Sequence, residues 1–164
     1  NEQFNSKLPE NGLQVSNSCS ETANELAIWG EKKEMDILQP PGWVRPKGYS
    51  NGISATGKLV VTGGMVGWNH NEEFVAEDLV GQAKQTFKNI AAVLSEAGAA
   101  PDHVVRLTWY ITDRTEYQNC AKKIGSAYQD IFGKHFPAMA VVEVSALMED
   151  KAKIEIEAMA VIPE

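Results

Sequence analysis

The sequence predicts an α+β domain in which two helices cover one face of a mixed, largely antiparallel sheet. Two segments place apolar residues at helical spacing, one over Leu79–Ala97 and one between Asp113 and Gly133. The segments around them alternate apolar and polar residues with a period of two, as half-buried strands do. The resulting order is β-β-α-β-α-β-β, which favours a layer of helices packed on a sheet.

The first 36 residues differ in composition from the rest of the chain. Up to Thr22 they are rich in Asn, Ser, Glu and Gln, which disfavours a packed core. Within them, Glu21–Met35 is predicted to form one short helix, and the Pro-Pro-Gly sequence at residues 40–42 then breaks any helix. We therefore predict an N-terminal extension over residues 1–36, either mobile or docked on the surface, and a domain over residues 37–164.

Two apolar segments open the domain, Tyr49–Ala55 and Lys58–Val66. The short turn between them predicts that they form a hairpin. The second segment contains the pair Gly63 and Gly64. Adjacent glycines weaken a strand and indicate either a bulge or a close approach of a backbone or a ligand.

Both predicted helices have recognisable ends. Asp78 is a candidate N-cap for the first helix, and Gly98 is a candidate stop. The second helix opens with Asp113 and Glu116 at the spacing of a capping box and ends near Gly133. Between the helices, residues 103–112 alternate as a strand.

The chain ends in two further alternating segments, at residues 138–147 and 153–163, which we predict to be paired strands. In the last one, every second residue from Ile154 to Ile162 is apolar and points to one face. The other face carries Glu155 and Glu157, about 7 Å apart at the rise of a strand. Spacing alone favours a solvated pair of carboxylates.

The face of the sheet away from the helices is expected to be apolar. We predict that it carries Met139, Val141, Leu147, Met159 and Val161. An exposed face of this kind needs cover, and other copies of the chain provide it most simply. The sequence therefore predicts a homo-oligomer.

Size and charge limit the classes of function. The chain has 164 residues, of which 43% are hydrophobic, enough for one domain to bury a core. No apolar run is long enough for a transmembrane helix and no signal-peptide pattern is present. Because the formal net charge is −7, no basic patch is evident for a phosphate backbone. We expect a cytoplasmic protein that binds neither membranes nor nucleic acid.

Cysteine and histidine residues give no metal-binding pattern. The two cysteines, Cys19 and Cys120, are far apart in sequence, and the three histidines have neither HxH nor HxxxH spacing. Cys120 lies on the apolar stripe of the second predicted helix, where core packing explains it better than nucleophilic chemistry. We predict no metal site.

Several of these segments together resemble the Rid family, which is YjgF-type and also called L-PSP. The resemblance runs from Pro46 to Pro163 and rests on five motifs: GYSNG (48–52), LVVTGGM (59–65), FPA (136–138), VEV (142–144) and KIEIEAMAV (153–161). It implies a chorismate-mutase-like fold and a homotrimer whose sheets form a central barrel, with ligand clefts between subunits. It also implies that no metal or organic cofactor is needed.

The resemblance assigns roles to individual residues. Glu155 matches the family glutamate that positions or activates water, and Tyr49, Gly63 and Gly64 match substrate-binding positions. Met139 stands where the active deaminases have an arginine that binds the substrate carboxylate. Since methionine offers no bidentate grip on a carboxylate, a larger or less acidic ligand is expected. The asparagine common in the family's second helix falls near Gly125.

The resemblance implies hydrolysis of a small reactive enamine or imine to a carbonyl compound and ammonia, with 2-aminomuconate-type deamination as one form. The alternative is a non-catalytic trimer that binds a small metabolite, which Met139 favours. A ribonuclease activity is disfavoured by the acidic balance of the chain and by the lack of a His/Lys cluster.

Overall fold

The computed structural model describes residues 35–164, which form seven strands and two α-helices. The strands are β1 (Met35–Leu38), β2 (Gly52–Ala55), β3 (Lys58–Val61), β4 (Met65–Val66), β5 (Val104–Ile111), β6 (Ala138–Glu143) and β7 (Ile154–Ile162), and the helices are α1 (Leu79–Glu96) and α2 (Arg114–Phe132). Of the helix predicted over Glu21–Met35, residues 21–34 lie outside the described range, as does the extension up to residue 34. Met35 itself opens β1.

The main sheet has five strands in the order β3-β7-β5-β6, with β4 also paired to β7. Only β5 and β6 run parallel, so the sheet is mixed. Residues of both helices and of one sheet face form a single buried core that includes Phe87, Leu107, Ile124 and Ile156. The predicted α+β class, with two helices on one face of a mixed sheet, is therefore confirmed.

Both predicted hairpins are wrong within the described residues. β2 pairs with β1 in a separate two-stranded sheet, and β3 pairs with β7. At the C-terminus, β5 lies between β6 and β7. The reason is that β5 and β7 are the longest strands, so pairing with them gives short strands more ladder hydrogen bonds and more burial than a local hairpin would.

The helices follow their predicted ends closely. The carboxylate of Asp78 accepts a hydrogen bond from the Gly81 amide at 2.9 Å, and that of Asp113 accepts one from the Glu116 amide at 2.8 Å. The Glu116 side chain does not complete a capping box, because it binds Lys153 Nζ at 3.0 Å instead. In the described part of the chain, neither helix combines the length and the apolar character needed to cross a membrane.

Of the residues predicted for the open face of the sheet, Met159 and Val161 lie there and the other three do not. Met139 and Val141 pair in register with the buried Leu107 and Trp109, so both lie on the helix-covered face. Leu147 follows β6 and belongs to no strand. The prediction failed because β6 is apolar on both sides and its alternation could not identify the covered face. The exposed apolar residues of the open face are Leu59, Val61, Val142 and Met159, with Val161 half-buried beside them.

Candidate active site

A cleft of about 510 Å³ lies on the helix-covered side of the sheet, between β6 and α2. This volume is in the range of small-molecule sites. Its walls are largely aromatic and apolar, and they include Tyr49, Tyr117, Phe136 and Met139. Two of the predicted substrate-binding residues, Tyr49 and Met139, therefore meet at one cleft.

Hydrogen bonds at the start of β6 hold these two residues together. The Ser50 amide donates to the Pro137 carbonyl at 3.0 Å, and the Ser50 hydroxyl donates to the Phe136 carbonyl at 2.5 Å. Because Ser50 is buried, this link fixes the segment that carries Tyr49 against the strand that carries Met139. The FPA motif thus positions one wall of the cleft through its backbone carbonyls.

Stacked aromatic rings support the floor of the cleft. The ring of Tyr128 stacks on Phe132 at 4.7 Å and on Phe136 at 5.9 Å, and its hydroxyl donates to the His135 carbonyl at 2.7 Å. Burial raises the pKa of Tyr128 and also that of Tyr117. Both phenols therefore stay neutral near pH 7 and do not act as bases, and the Tyr128 hydroxyl is already engaged by the His135 carbonyl.

Glu155 lies on the opposite face of the sheet. It is half-buried in β7 and pairs in register with Val66 and Tyr110. Its carboxylate presses against the backbone of Gly64, where a Cβ would come within 2.7 Å of Glu155 Cδ. Only a residue without a side chain leaves the carboxylate in this place.

The Gly63–Gly64 segment is a break between β3 and β4. Just before it, the Thr62 hydroxyl accepts a hydrogen bond from the Ala158 amide at 3.0 Å. The side-chain oxygen of Thr62 thus takes the place of the backbone carbonyl that would continue the hydrogen-bond ladder between β3 and β7. The predicted irregularity is seen as this break, and the group that comes close is the side chain of Glu155 rather than a backbone or a ligand.

The neighbouring carboxylates have structural partners. Glu157 Oε1 accepts a hydrogen bond from the Tyr110 hydroxyl at 3.2 Å, and desolvation together with this bond raises the pKa of Tyr110. Glu143 Oε1 accepts from the Arg114 amide at 2.7 Å and so caps α2. Glu155 has no side-chain hydrogen-bond partner among residues 35–164, and it is therefore the carboxylate left available for a ligand or a water molecule.

Within one chain, the predicted site residues do not lie together. Tyr49 and Met139 lie at the cleft on the helix-covered side, whereas Glu155 and Gly64 lie toward the open face. The sheet separates the two groups. A molecule bound in the cleft of a chain is therefore not in contact with the Glu155 of that same chain.

Some cleft residues were not singled out as ligand contacts from the sequence. Tyr117 and Tyr128 share the apolar stripe of α2 with Cys120, a position that favours core packing, and Lys47 carries no signal beyond its place near Tyr49. Gly125 does carry a signal in the sequence, because a glycine inside a helix lowers the stability of that helix and so indicates a special requirement at its position. Across residues 35–164, no group of three or more His, Cys, Asp or Glu residues is placed to hold a metal ion.

Comparisons with known proteins agree with this architecture. A family model described as Endoribonuclease L-PSP matches residues 44–162. The chain is 34% identical over 116 residues to a 2-iminobutanoate/2-iminopropanoate deaminase of Salmonella typhimurium, covering 69% of this chain and 86% of that protein. It is 36% identical over 112 residues to a RutC family protein of Pyrococcus abyssi, covering 68% and 84%. The crystal structure of a Rid family protein from Yersinia pestis superposes with a TM-score of 0.68 at 31% identity, covering 79% of this chain and all of that one (100%). The chain therefore belongs to the Rid family, YjgF-type, also described as L-PSP.

Proposed function

We propose that this protein hydrolyses a small reactive enamine or imine to a carbonyl compound and ammonia. The observation that carries the proposal is the likeness to a protein named 2-iminobutanoate/2-iminopropanoate deaminase, 34% identical over 116 residues. The family match over residues 44–162 spans both the cleft and Glu155. A cleft with aromatic walls and a separate half-buried carboxylate are the parts that this reaction needs.

The reaction needs only a positioned water molecule and a group that moves protons. The oxygen of water adds to the imine carbon, and Glu155 takes a proton from that water. The same carboxyl group returns the proton to the nitrogen. The carboxylate then takes the proton of the carbinolamine hydroxyl and passes it to the nitrogen, so that ammonia leaves as the C–N bond breaks and the carbonyl compound remains. One water is consumed and one ammonia is released, with no change in oxidation state.

We propose a homotrimer in which the sheets form a central barrel and each site joins two subunits. The separation of Glu155 from the cleft by the sheet supports this arrangement, because a second copy can place its Glu155 at the cleft of the first. The open face also has apolar side chains to bury. Leu59 is 62% exposed, Val61 58% and Met159 44% in the single chain.

The substrate is a less acidic or larger imine than 2-iminopropanoate, and 2-aminomuconate-type deamination is one such reaction. This part of the proposal rests on Met139, which lines the cleft and offers no charge to a carboxylate. The same residue favours a second candidate, a trimer that binds a small metabolite without catalysis. A cytoplasmic location, the absence of nucleic-acid partners and an extension over residues 1–36 that is either mobile or docked on the surface stay predictions from the sequence.

Ammonia release distinguishes the two candidates. Imines of several sizes, including 2-iminopropanoate and an iminomuconate, would be generated in situ, and their decay and the ammonia formed would be followed with and without the protein. We expect acceleration over buffer for at least one of them. If none decays faster with the protein present while a metabolite still binds, the deaminase proposal is wrong and the binding protein is favoured.

A further inference from the structure

Helix α1 carries a row of polar side chains on a side that is largely buried. Gln82, Gln85, Thr86 and Asn89 recur at intervals of three and four residues, so they lie along one side of the helix. Gln82 is only 1% exposed and Thr86 is fully buried. Because a buried polar group is unfavourable unless it is hydrogen-bonded, the partners of this row show what it is for.

Gln82 holds the start of β7. Its Nε2 donates to the Lys151 carbonyl at 2.8 Å and to the Ala76 carbonyl at 3.2 Å, and its Oε1 accepts from the Lys153 amide at 2.8 Å. A carboxamide offers two donor hydrogens and an acceptor in one group, and Gln82 uses all of them. Glu155 follows Lys153 by two residues, so the helix fixes the backbone from which the carboxylate extends.

Asn89 holds β4 in the same way. Its Nδ2 donates to the Val66 carbonyl at 2.9 Å and to the Trp68 carbonyl at 2.8 Å, and its Oδ1 accepts from Gln85 Nε2 at 2.9 Å. Since β4 has only two residues, its own ladder supplies few hydrogen bonds. Val66 pairs in register with Glu155. The Asn89 amide therefore fixes the strand beside the carboxylate.

The end of β4 and α1 are in direct contact at Gly67. A Cβ at this position would lie 2.6 Å from Gln82 Cα, so no side chain fits between the strand and the helix. Gly64, against which the Glu155 carboxylate rests, lies immediately before β4. The carboxylate and the glycine that it contacts are thus both held from one helix.

We propose that Gln82 and Asn89 are positioning residues for Glu155. Neither side chain lines the cleft, and each acts through hydrogen bonds to the backbone of β7 or β4. This inference rests on the proposed function and names two further residues for that reaction. Because a misplacement of about 1 Å can lower a rate about a hundredfold, loss of either amide should affect kcat more than substrate binding.

Removal of the Asn89 amide is the first test. Asn89→Ala deletes both donors at a half-buried position, and kcat for imine decay should fall about ten- to a hundredfold while KM changes less than about twofold. Ile90→Val is the matched control, because it removes one buried methyl group from the next residue and no hydrogen bond. It should lower Tm and leave kcat unchanged. If Asn89→Ala lowers Tm but keeps the parental kcat, the amide only stabilises the fold and the inference is wrong.

A double-mutant cycle tests whether the amide acts through Glu155. In the Glu155→Gln background, Asn89→Ala should lower the remaining rate by less than about twofold, since the effects of residues that act as a unit are not additive. A further loss of about tenfold or more in that background would show that Asn89 acts independently of the carboxylate, and it would overturn the inference.

Gln82→Met tests the other end of the row. It keeps the volume and removes all three hydrogen bonds, and kcat should fall about tenfold or more with KM nearly unchanged. Should this buried variant fail to fold, Asn89→Ala decides the test by itself. If the parent protein accelerates no imine, the proposed function and this inference are both wrong. Parental activity that persists in Asn89→Ala would overturn the inference alone.

Discussion

On the face of the sheet that the helices cover, Tyr49 and Met139 border a cleft with fixed aromatic walls, whereas on the open face Glu155 rests against Gly64 beside exposed apolar side chains. The first face has a cleft of a size that suits a small molecule, and no Asp or Glu among residues 35–164 lines it. The second has a half-buried carboxylate, that of Glu155, which rests against the backbone of Gly64. In the homotrimer that we propose, binding and proton transfer are divided between subunits, and the following experiments test that division.

The largest effect is expected from the carboxylate. Glu155→Gln removes the group that accepts a proton from water, and it should lower kcat by about 10²–10⁴-fold while KM and the assembly stay unchanged. Glu157→Gln is the matched control, because Glu157 is bound by Tyr110 and should keep most of the activity. Steady-state assays of imine decay measure both. Equal losses in the two variants would mean that Glu155 has no special role.

Mixing variants tests whether the site spans two subunits. Gly125→Trp should fill the cleft and inactivate the protein, but it leaves Glu155 intact. Trimers coexpressed from Glu155→Gln and Gly125→Trp chains should recover about one quarter of the parental activity, since one in four random interfaces joins an open cleft to an intact carboxylate. No recovery in mixed trimers would show that each chain works alone.

The open face should control assembly. Val61 is 58% exposed in the single chain, and Val61→Glu would bury a carboxylate in the proposed barrel. We expect this variant to sediment as a monomer and to lose activity. Val93→Glu on α1, at a position that is 40% exposed, serves as the control and should leave the assembly intact. A monomeric parent protein would contradict the barrel itself.

A gain of function is expected at Met139. Met139→Arg would provide a bidentate partner for a carboxylate, and a charged hydrogen bond contributes on the order of 1.5–3 kcal/mol, or about ten- to a hundred-fold. kcat/KM for 2-iminopropanoate should rise accordingly. Met139→Leu keeps the volume and adds no charge, so it should leave this substrate nearly unaffected. If Met139→Arg does not raise kcat/KM for 2-iminopropanoate, the carboxylate of the bound substrate does not lie near residue 139.

The smallest effect is expected from the glycine that faces Glu155. Gly64→Ala would push the carboxylate aside, because its Cβ would lie 2.7 Å from Glu155 Cδ. Since the displaced atoms end a flexible side chain, we expect activity to fall about tenfold with little change in Tm. Gly63→Ala is the control, because its nearest atom is Met65 Cε at 3.9 Å. Similar rates for the two alanine variants would show that the contact is incidental.

Elements governed by local chemistry were predictable from the sequence. The first helix was expected over Leu79–Ala97 and is found over Leu79–Glu96, because a carboxylate at Asp78 caps its start and Gly98 turns the chain at φ +77°. Strand partners were not predictable in this way. Pairing of β3 with β7 joins segments roughly a hundred residues apart, and the local sequence of either strand does not indicate its partner.

The candidate site shows the same contrast between what local sequence predicts and what long-range pairing determines. Motif resemblance identified Tyr49, Met139 and Glu155, and the structure places the first two at one cleft. Which face of the sheet each residue occupies depends on the register of β6 against β5. Because β6 is apolar on both sides, its sequence does not contain that information. The separation of Glu155 from the cleft therefore emerged only from the three-dimensional arrangement.

Within residues 35–164, β7 follows all the other strands in sequence, and β3, β4 and β5 all pair with it. During synthesis on a ribosome, the edges of these three strands that pair with β7 have no hydrogen-bond partner until Ile154–Ile162 leaves the exit tunnel. Helices α1 and α2 can form earlier, because their contacts are local. A nascent chain that stalls before β7 would therefore expose unpaired strand edges to other chains. Pairing of Ile154–Ile162 with these edges is the step that protects the domain from aggregation through them.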